Sequence, residues 1–168
     1  FYGRIKIMIE YKFIANNLND TKKLAKKFAQ FMKTGGCVCL YGDIGAGKTA
    51  FCREVAKTLG VKEEITSPSF VILNEYKTGI VPIYHFDLYR LENEGVKSIF
   101  DELEEYTNSN VVTFIEWAQF SNLKTPFECI NLQINYLDET KREFIFKTEF
   151  EKYNFLIKGM NNNENIML

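Results

Sequence analysis

The spacing of apolar and polar residues along this chain predicts alternating strands and helices. The segment Ile5 to Phe13 is predicted to be a first strand, and a helix over about Thr21 to Lys33 follows it. Asn19 or Asp20 is expected to cap this helix with its side-chain oxygen. The apolar face of the helix carries Leu24, Phe28, Phe31 and Met32.

Three later segments continue this alternation. Cys37 to Tyr41 is short, apolar and β-prone, and it follows two glycines. Thr49 to Leu59 has the pattern of a helix that ends at Gly60. Val111 to Ile115 is a denser apolar run, which is typical of a strand buried on both faces of a sheet.

Two pairs of apolar runs predict hairpins. Val71 to Tyr76 and Ile80 to Phe86 are separated by only three residues, a connection too short to cross over a sheet. They are therefore predicted to be antiparallel. Cys129 to Tyr136 and Arg142 to Phe150 predict a second hairpin, and the acidic stretch Glu94 to Tyr106 is predicted to be a helix.

The segment between Cys37–Tyr41 and the helix at Thr49 carries the first chemical signal. Its sequence, GDIGAGKT, matches the phosphate-binding pattern G-x-x-x-x-G-K-[ST] at every constrained position. Lys48 is expected to bridge the β- and γ-phosphates, and the Thr49 hydroxyl is expected to bind Mg²⁺. A plain glycine turn explains neither residue. The other expected nucleotide contacts are Asp43, Gly45, Ala46, Gly47 and Ala50.

The motif and the elements together predict one α/β domain over residues 1–168 with a P-loop NTPase fold. Its sheet is expected to be mixed, with a parallel nucleotide-binding core and antiparallel hairpins. Residues 1–7, which precede Met8, are expected to be an extension. The asparagine-rich segment 161–168 is expected to be a flexible tail.

Composition narrows the class of protein. Of the 168 residues 46% are hydrophobic, which favours a globular fold, and a net charge of −1 argues against general adhesion to nucleic acid or membranes. No apolar run has the length of a membrane span, and no secretory signal pattern is present. Four cysteines without C-x-x-C spacing, and one histidine, argue against a zinc site and favour a reduced, cytoplasmic compartment.

Charge is nevertheless concentrated on the first predicted helix. Its lysines are interpreted as a solvated face, and the alternative is a docking surface for RNA or for an acidic partner. They are Lys22, Lys23, Lys26, Lys27 and Lys33.

A phosphate loop of this kind needs an acidic partner at the end of a neighbouring strand. Glu116 directly follows Val111 to Ile115, so it lies at the carboxyl end of a buried strand, where ligands bind in such sheets. We expect it to act on Mg²⁺, directly or through water, or to orient the attacking water. The alternative is a structural carboxylate that pairs with a lysine or an arginine.

Strand alternation places His85, Asp87 and Tyr89 on one face at the end of the first hairpin. Asp87 is a second candidate for metal binding or water activation. His85 either orients Asp87 or a phosphate, or it is a hydrogen-bonded structural residue. Arg90 either offsets the charge of the γ-phosphate or fixes a carboxylate in place.

Three further residues are candidate switch or sensor residues. Ser67 and Ser69 flank a proline, and their hydroxyls either contact the γ-phosphate and change order on hydrolysis or only form a turn. Trp117, the single tryptophan, is expected to be half-buried near Glu116.

Four motifs occur in order along the chain: GDIGAGKT, TSPSF, YHFDLYRL and an apolar strand that ends in FIEW. In this order they resemble the bacterial TsaE family over about Phe13 to Tyr136. The resemblance implies a small cytoplasmic Mg-dependent P-loop ATPase, slow on its own, in the biosynthesis of tRNA threonylcarbamoyladenosine. It further implies action with the TsaB–TsaD pair, which modifies the adenosine next to the anticodon, and contact with tRNA indirectly or through that complex.

The resemblance assigns roles only where residues match. Lys48 and Thr49 match the phosphate and magnesium positions, and Glu116 matches the acidic position after the second core strand. Asp87 matches the acidic residue of H-x-D-x-Y-R, and Trp117 matches the tryptophan of the E-W pair.

Two other functions stay open at this point. A small-molecule kinase needs an arginine-bearing lid, whereas the stretch from Glu92 to Asn110 is acidic and contains no arginine. A nucleotide-gated binding module without useful catalysis would use ATP only to change the affinity for a partner.

Overall fold

The computed structural model describes residues 5–68, 72–89, 100–107, 110–116 and 128–162. The strands in these ranges are β1 (Ile9–Ala15), β2 (Gly36–Tyr41), β3 (Leu73–Tyr76), β4 (Ile83–Asp87), β5 (Val112–Glu116), β6 (Ile130–Tyr136) and β7 (Arg142–Thr148). The α-helices are α1 (Leu18–Phe31), α2 (Lys48–Thr58), α3 (Phe100–Thr107) and α4 (Asn154–Asn161).

The strands form one mixed sheet in the order β1-β7-β6-β2-β5-β4-β3. The central strands β6, β2, β5 and β4 are parallel to one another. Both predicted hairpins, β3–β4 and β6–β7, are antiparallel, and β1 pairs antiparallel with β7 at one edge. The predicted mixed sheet with a parallel core is therefore confirmed.

Alternation along β2 separates two cores. Val38 and Leu40 belong to the larger core, on which α1, α2 and α4 pack. Cys37 and Cys39 point to the opposite core, where Leu103 of α3 packs. These two cysteines therefore share one face of the strand, and the helices occupy two opposite sides of the sheet.

The beginning of α1 differs from the prediction. The helix starts at Leu18, and Asn17 is its cap because its side chain accepts a hydrogen bond from the Asp20 N–H at 3.0 Å. Asp20 instead accepts the N–H of Asn16 at 3.0 Å, so the expectation of a cap at Asn19 or Asp20 was wrong. The two side chains satisfy backbone donors that the first turn leaves unpaired.

Other boundaries also move. β1 begins at Ile9 rather than Ile5, because its pairing with β7 starts where Ile9 faces Thr148. The amphipathic helix α4 was not predicted, and it includes Asn161, which was assigned to the tail. Residues 94–99 of the predicted acidic helix and residues 163–168 of the tail lie outside the described residues. None of the described helices combines the length and the apolar character that a membrane crossing requires.

Candidate functional site

The glycine loop connects the end of β2 to the start of α2, as predicted. Gly42 has a φ of 150°, and a Cβ atom at this position would lie 2.6 Å from the carbonyl oxygen of Ile134 in β6. Gly47, directly before α2, has a φ of 108°, a value that residues with side chains rarely adopt. The path of the loop therefore favours glycine at position 42 because of the close approach of β6, and at position 47 because of the backbone conformation.

Lys48 is buried and spans the loop. Its Nζ donates hydrogen bonds to the carbonyl oxygens of Gly42 and Asp43, at 2.5 and 3.2 Å. Burial lowers the pKa of Lys48, whereas the nearby carboxylates of Glu116 and Asp87 act to raise it. The ammonium group is thus held among oxygens at the position where the motif requires a cation.

The carboxyl ends of three parallel strands meet beside this loop. Leu40 of β2 lies opposite Glu116 of β5, which in turn lies opposite Asp87 of β4. Both carboxylates are buried, and Glu116 Oε1 accepts a hydrogen bond from Thr49 Oγ1 at 3.4 Å. The structure therefore brings together all four residues predicted to act on phosphate, metal or water.

His85 contacts a different partner from the one expected. Its Nε2 lies 2.8 Å from Glu116 Oε1, while Asp87 Oδ1 accepts the N–H of Tyr89 at 2.9 Å. This contact is a hydrogen bond in which Nε2 donates when that nitrogen carries the proton. His85 Nδ1 has no hydrogen-bond partner within the described part of the chain. The alternative of a hydrogen-bonded histidine fits this geometry, with Glu116 rather than Asp87 as the residue it orients.

Sequence reasoning missed Cys52. This residue lies one helical turn after Lys48, so a period of about 3.6 residues could have placed it on the same face of α2. Its sulfur, a ring nitrogen of His85 and a carboxylate oxygen of Glu116 all lie within 4.8 Å of one another. Burial and the negative charge of Glu116 raise the pKa of Cys52, which keeps the thiol protonated.

The donors around Thr49 fit a magnesium ion. Mg²⁺ prefers oxygen ligands, and Thr49 and Glu116 offer a hydroxyl and a carboxylate at the mouth of a cavity of about 250 Å³. The thiol of Cys52 and the imidazole of His85 are softer donors. Ser67 also lines this cavity, and the sensor role expected for it stays a prediction. The cavity is lined by Ile44, Gly45, Gly47, Lys48, Thr49, Ala50, Ser67 and Glu116.

A second cavity of about 450 Å³ lies on the other side of the loop, between the start of α1 and the β6–β7 hairpin. Ala46, Gly47 and Ala50 of the loop and helix line it, together with Arg142. Arg142 Nε donates to the Ala46 carbonyl at 3.1 Å, and its guanidinium stacks 4.5 Å from the centre of the Tyr136 ring. No sequence signal pointed to Arg142, because it acts on a loop 96 residues away.

Three predicted residues, Ser69, Arg90 and Trp117, lie outside the described residues. The roles expected for them stay predictions.

The mixed sheet and the glycine loop at the end of its central strand define a protein of P-loop NTPase fold. The family model described as threonylcarbamoyl adenosine biosynthesis protein TsaE matches residues 15–144, and the chain belongs to this family.

Individual relatives agree with the family match. The tRNA threonylcarbamoyladenosine biosynthesis protein TsaE of Bacillus subtilis is 35% identical over 159 residues, which are 95% of this chain and 99% of the relative. The protein of the same name from Rickettsia felis is 46% identical over 132 residues, 77% of this chain and 75% of the relative. The crystal structure of Bacillus subtilis YdiB superposes with a TM-score of 0.77 at 30% identity, covering 92% of this chain and 95% of that one.

Proposed function

We propose that this protein is a Mg²⁺-dependent ATPase that acts in tRNA threonylcarbamoyladenosine biosynthesis. Membership of the TsaE family supports the pathway. One observation carries the chemistry: the hydroxyl of Thr49 lies 3.4 Å from the carboxylate of Glu116, next to the buried ammonium of Lys48. A hydroxyl, a carboxylate and a lysine in this arrangement are what a triphosphate and its metal require.

Each side chain has a distinct part in this proposal. Lys48 exchanges the carbonyls of Gly42 and Asp43 for phosphate oxygens, which are stronger acceptors for an ammonium group. Thr49 and Glu116 hold Mg²⁺. When bound, the ion neutralises phosphate charge. The loop N–H groups and the start of α2 add the positive end of the helix dipole.

Two carboxylates are available to orient the attacking water. Glu116 is fixed by His85 and Thr49, which leaves its geometry well defined. Asp87 lies opposite it on the neighbouring strand, with one oxygen held by the Tyr89 N–H. We assign the metal to Glu116 and the water to Asp87. The reason is that Thr49, the other proposed metal ligand, forms its hydrogen bond with Glu116.

We assign the nucleoside to the second cavity. It adjoins Ala46 and Gly47, so a nucleotide whose phosphates occupy the loop has space beside it for a sugar and a base. The hydrogen bond from Arg142 to the Ala46 carbonyl stabilises the side of this cavity that the loop forms. The preference for adenine follows from the family resemblance.

We further propose that the protein works in the cytoplasm with the TsaB–TsaD pair and hydrolyses ATP slowly alone. An arginine that stabilises phosphoryl transfer is worth about 10³–10⁵ in rate, and no arginine lines the loop cavity among the described residues. The family resemblance implies a partner that completes or organises the site. A pull-down with the TsaB–TsaD pair, with and without ATP and Mg²⁺, tests the association.

Glu116→Gln distinguishes an ATPase from a nucleotide-gated module. The substitution keeps the size of the side chain and removes its charge, so nucleotide binding, measured with a fluorescent ATP analogue, is expected to survive. Phosphate release and tRNA modification in a reconstituted reaction are expected to fall together. Full modification by a variant that no longer hydrolyses ATP would reject the ATPase role and favour the binding module.

A further inference from the structure

The helices on one side of the sheet expose several basic side chains. The helices α1, α2 and α4 pack on the same core, through Phe28, Phe51 and Leu156 among others. The solvent side of this helical layer carries five exposed lysines. These five, which we call the basic face, are Lys22, Lys23, Lys26, Lys57 and Lys158.

The positive charge of the basic face is not locally compensated. None of its lysines forms an ion pair with any residue that the structure describes, and the three helices carry only two acidic residues, Asp20 and Glu54, both partly buried. Six lysines elsewhere do pair with a carboxylate, whereas the exposed Lys33 and Lys62 form no ion pair with a described residue. The six are Lys6, Lys12, Lys77, Lys141, Lys147 and Lys152.

Among the described residues, the helix on the opposite side of the sheet is acidic. There α3 packs through Leu103 and exposes Glu102, Glu104 and Glu105. Although the net charge is only −1, exposed lysines and exposed glutamates lie on helices at opposite sides of the sheet. Such a separation orients an approaching polyanion toward the helical layer and away from α3.

Lys27 lies in the same lysine-rich segment of α1 but does not belong to the basic face. It is adjacent to Lys26, yet its Nζ turns to the end of α4 and donates to the carbonyl oxygens of Met160 and Asn162, at 2.8 and 2.9 Å. Lys27 thus fastens α4 to α1, and this contact leaves Lys22, Lys23 and Lys26 as a separate exposed group.

We propose that the basic face binds the phosphate backbone of tRNA, with Lys22, Lys23 and Lys26 at its centre. The inference rests on the proposed function, because the pathway supplies this polyanion. On α1, Lys22 and Lys26 are separated by about 6 Å along the helix axis and about 40° around it, and Lys23 lies about 100° from Lys22. The three lysines therefore lie within a sector of about 100° around the helix, so their long side chains can contact one phosphate backbone together. Lysine–phosphate contacts position a nucleic acid without reading its sequence.

The test compares two triple variants that change the net charge equally. The first is Lys22→Gln, Lys23→Gln and Lys26→Gln, where glutamine keeps a high helix propensity. The matched control is Lys6→Gln, Lys12→Gln and Lys147→Gln, whose lysines already pair with Glu149 or Glu10. Circular dichroism and thermal melting verify that both variants fold. The probe is an unmodified fluorescent tRNA transcript, titrated at several KCl concentrations from about 50 to 300 mM.

We expect the first variant to bind tRNA at least about tenfold more weakly at low salt, with a log–log salt slope smaller by about 3, since each lost phosphate contact lowers the slope by about 1. The control is expected to stay within about twofold of the unchanged protein, because paired surface lysines contribute little. Equal affinity and slope for all three proteins would overturn the inference. So would an unchanged protein that fails to bind tRNA but binds an acidic protein partner through these lysines.

The outcome is separable from that of the proposed function. Nucleotide binding and basal phosphate release do not involve the basic face, so both are expected to be unchanged in the first variant. Loss of tRNA binding with intact hydrolysis supports the inference, whereas intact tRNA binding with intact hydrolysis rejects it and leaves the ATPase in place. If the unchanged protein does not hydrolyse ATP but its tRNA binding depends on these lysines as expected, the ATPase role is rejected and the inference stands.

Discussion

His85 Nε2 lies 2.8 Å from Glu116 Oε1, and both side chains are almost completely buried. The same carboxylate oxygen also accepts the hydroxyl of Thr49 at 3.4 Å. A buried carboxylate that receives two hydrogen bonds from fixed donors keeps one orientation, which is a requirement for a metal ligand. This contact makes His85 a positioning residue for Glu116 in the proposed ATPase.

His85→Ala is expected to impair both stability and catalysis. Removing the imidazole leaves Glu116 buried with one donor fewer, which costs about 1–3 kcal/mol in the free energy of unfolding. His85→Gln retains an amide N–H and is expected to restore part of the activity. Urea denaturation measures the stability, and the kcat and KM for ATP separate positioning from a purely structural effect. Equal loss of kcat in both variants at full stability would argue against the positioning role.

Thr49→Val tests the metal site. Valine has nearly the shape of threonine but no hydroxyl, so the Mg²⁺ concentration that supports half-maximal hydrolysis is expected to rise by at least about tenfold. Thr49→Ser keeps the hydroxyl and serves as the control, with an expected Mg²⁺ dependence near that of the unchanged protein. An identical Mg²⁺ dependence in all three proteins would remove Thr49 from the metal site.

Gly42→Ala and Gly45→Ala form a matched pair within the loop. A Cβ atom at Gly42 would lie 2.6 Å from the Ile134 carbonyl oxygen, whereas at Gly45 nothing lies within 4 Å and only the φ of 83° opposes a side chain. We expect Gly42→Ala to lower the free energy of unfolding by about 2 kcal/mol or more, and Gly45→Ala by about 1 kcal/mol. Chemical denaturation decides between them, and a larger loss for Gly45→Ala contradicts this account.

Cys52 gives the protein a predictable dependence on pH. Its pKa is raised in the folded state by burial and by Glu116, so the native thiol stays protonated where the unfolded thiol ionises. The unfolded state therefore binds fewer protons above about pH 9, and the free energy of unfolding is expected to fall as the pH rises through this range. Cys52→Ser is expected to reduce this fall. Urea unfolding between about pH 7 and 10 measures it, and a curve unaffected by the substitution would refute the assignment.

Much of the site could be predicted before any fold was known. The glycine loop, Lys48 and Thr49 are adjacent in sequence, and a loop, a strand end and a helix start are local features that a short pattern defines. Glu116 and Asp87 were also accessible, because a polar residue directly after an apolar strand lies at the carboxyl end of that strand. The cap of α1 was misplaced by two or three residues, since several neighbouring side chains can accept the same backbone N–H.

The amino-acid sequence by itself determined most of the elements, the phosphate loop and the acidic residues at the strand ends, because each depends on neighbours within a few positions. Only the tertiary structure decided that His85 contacts Glu116, that Cys52 lies close to that pair, and that Arg142 of the distant hairpin binds the Ala46 carbonyl. It also decided that the lysines of α1 and the glutamates of α3 face opposite ways. These contacts involve residues that are distant along the chain. They therefore depend on strand order and packing rather than on any local sequence pattern.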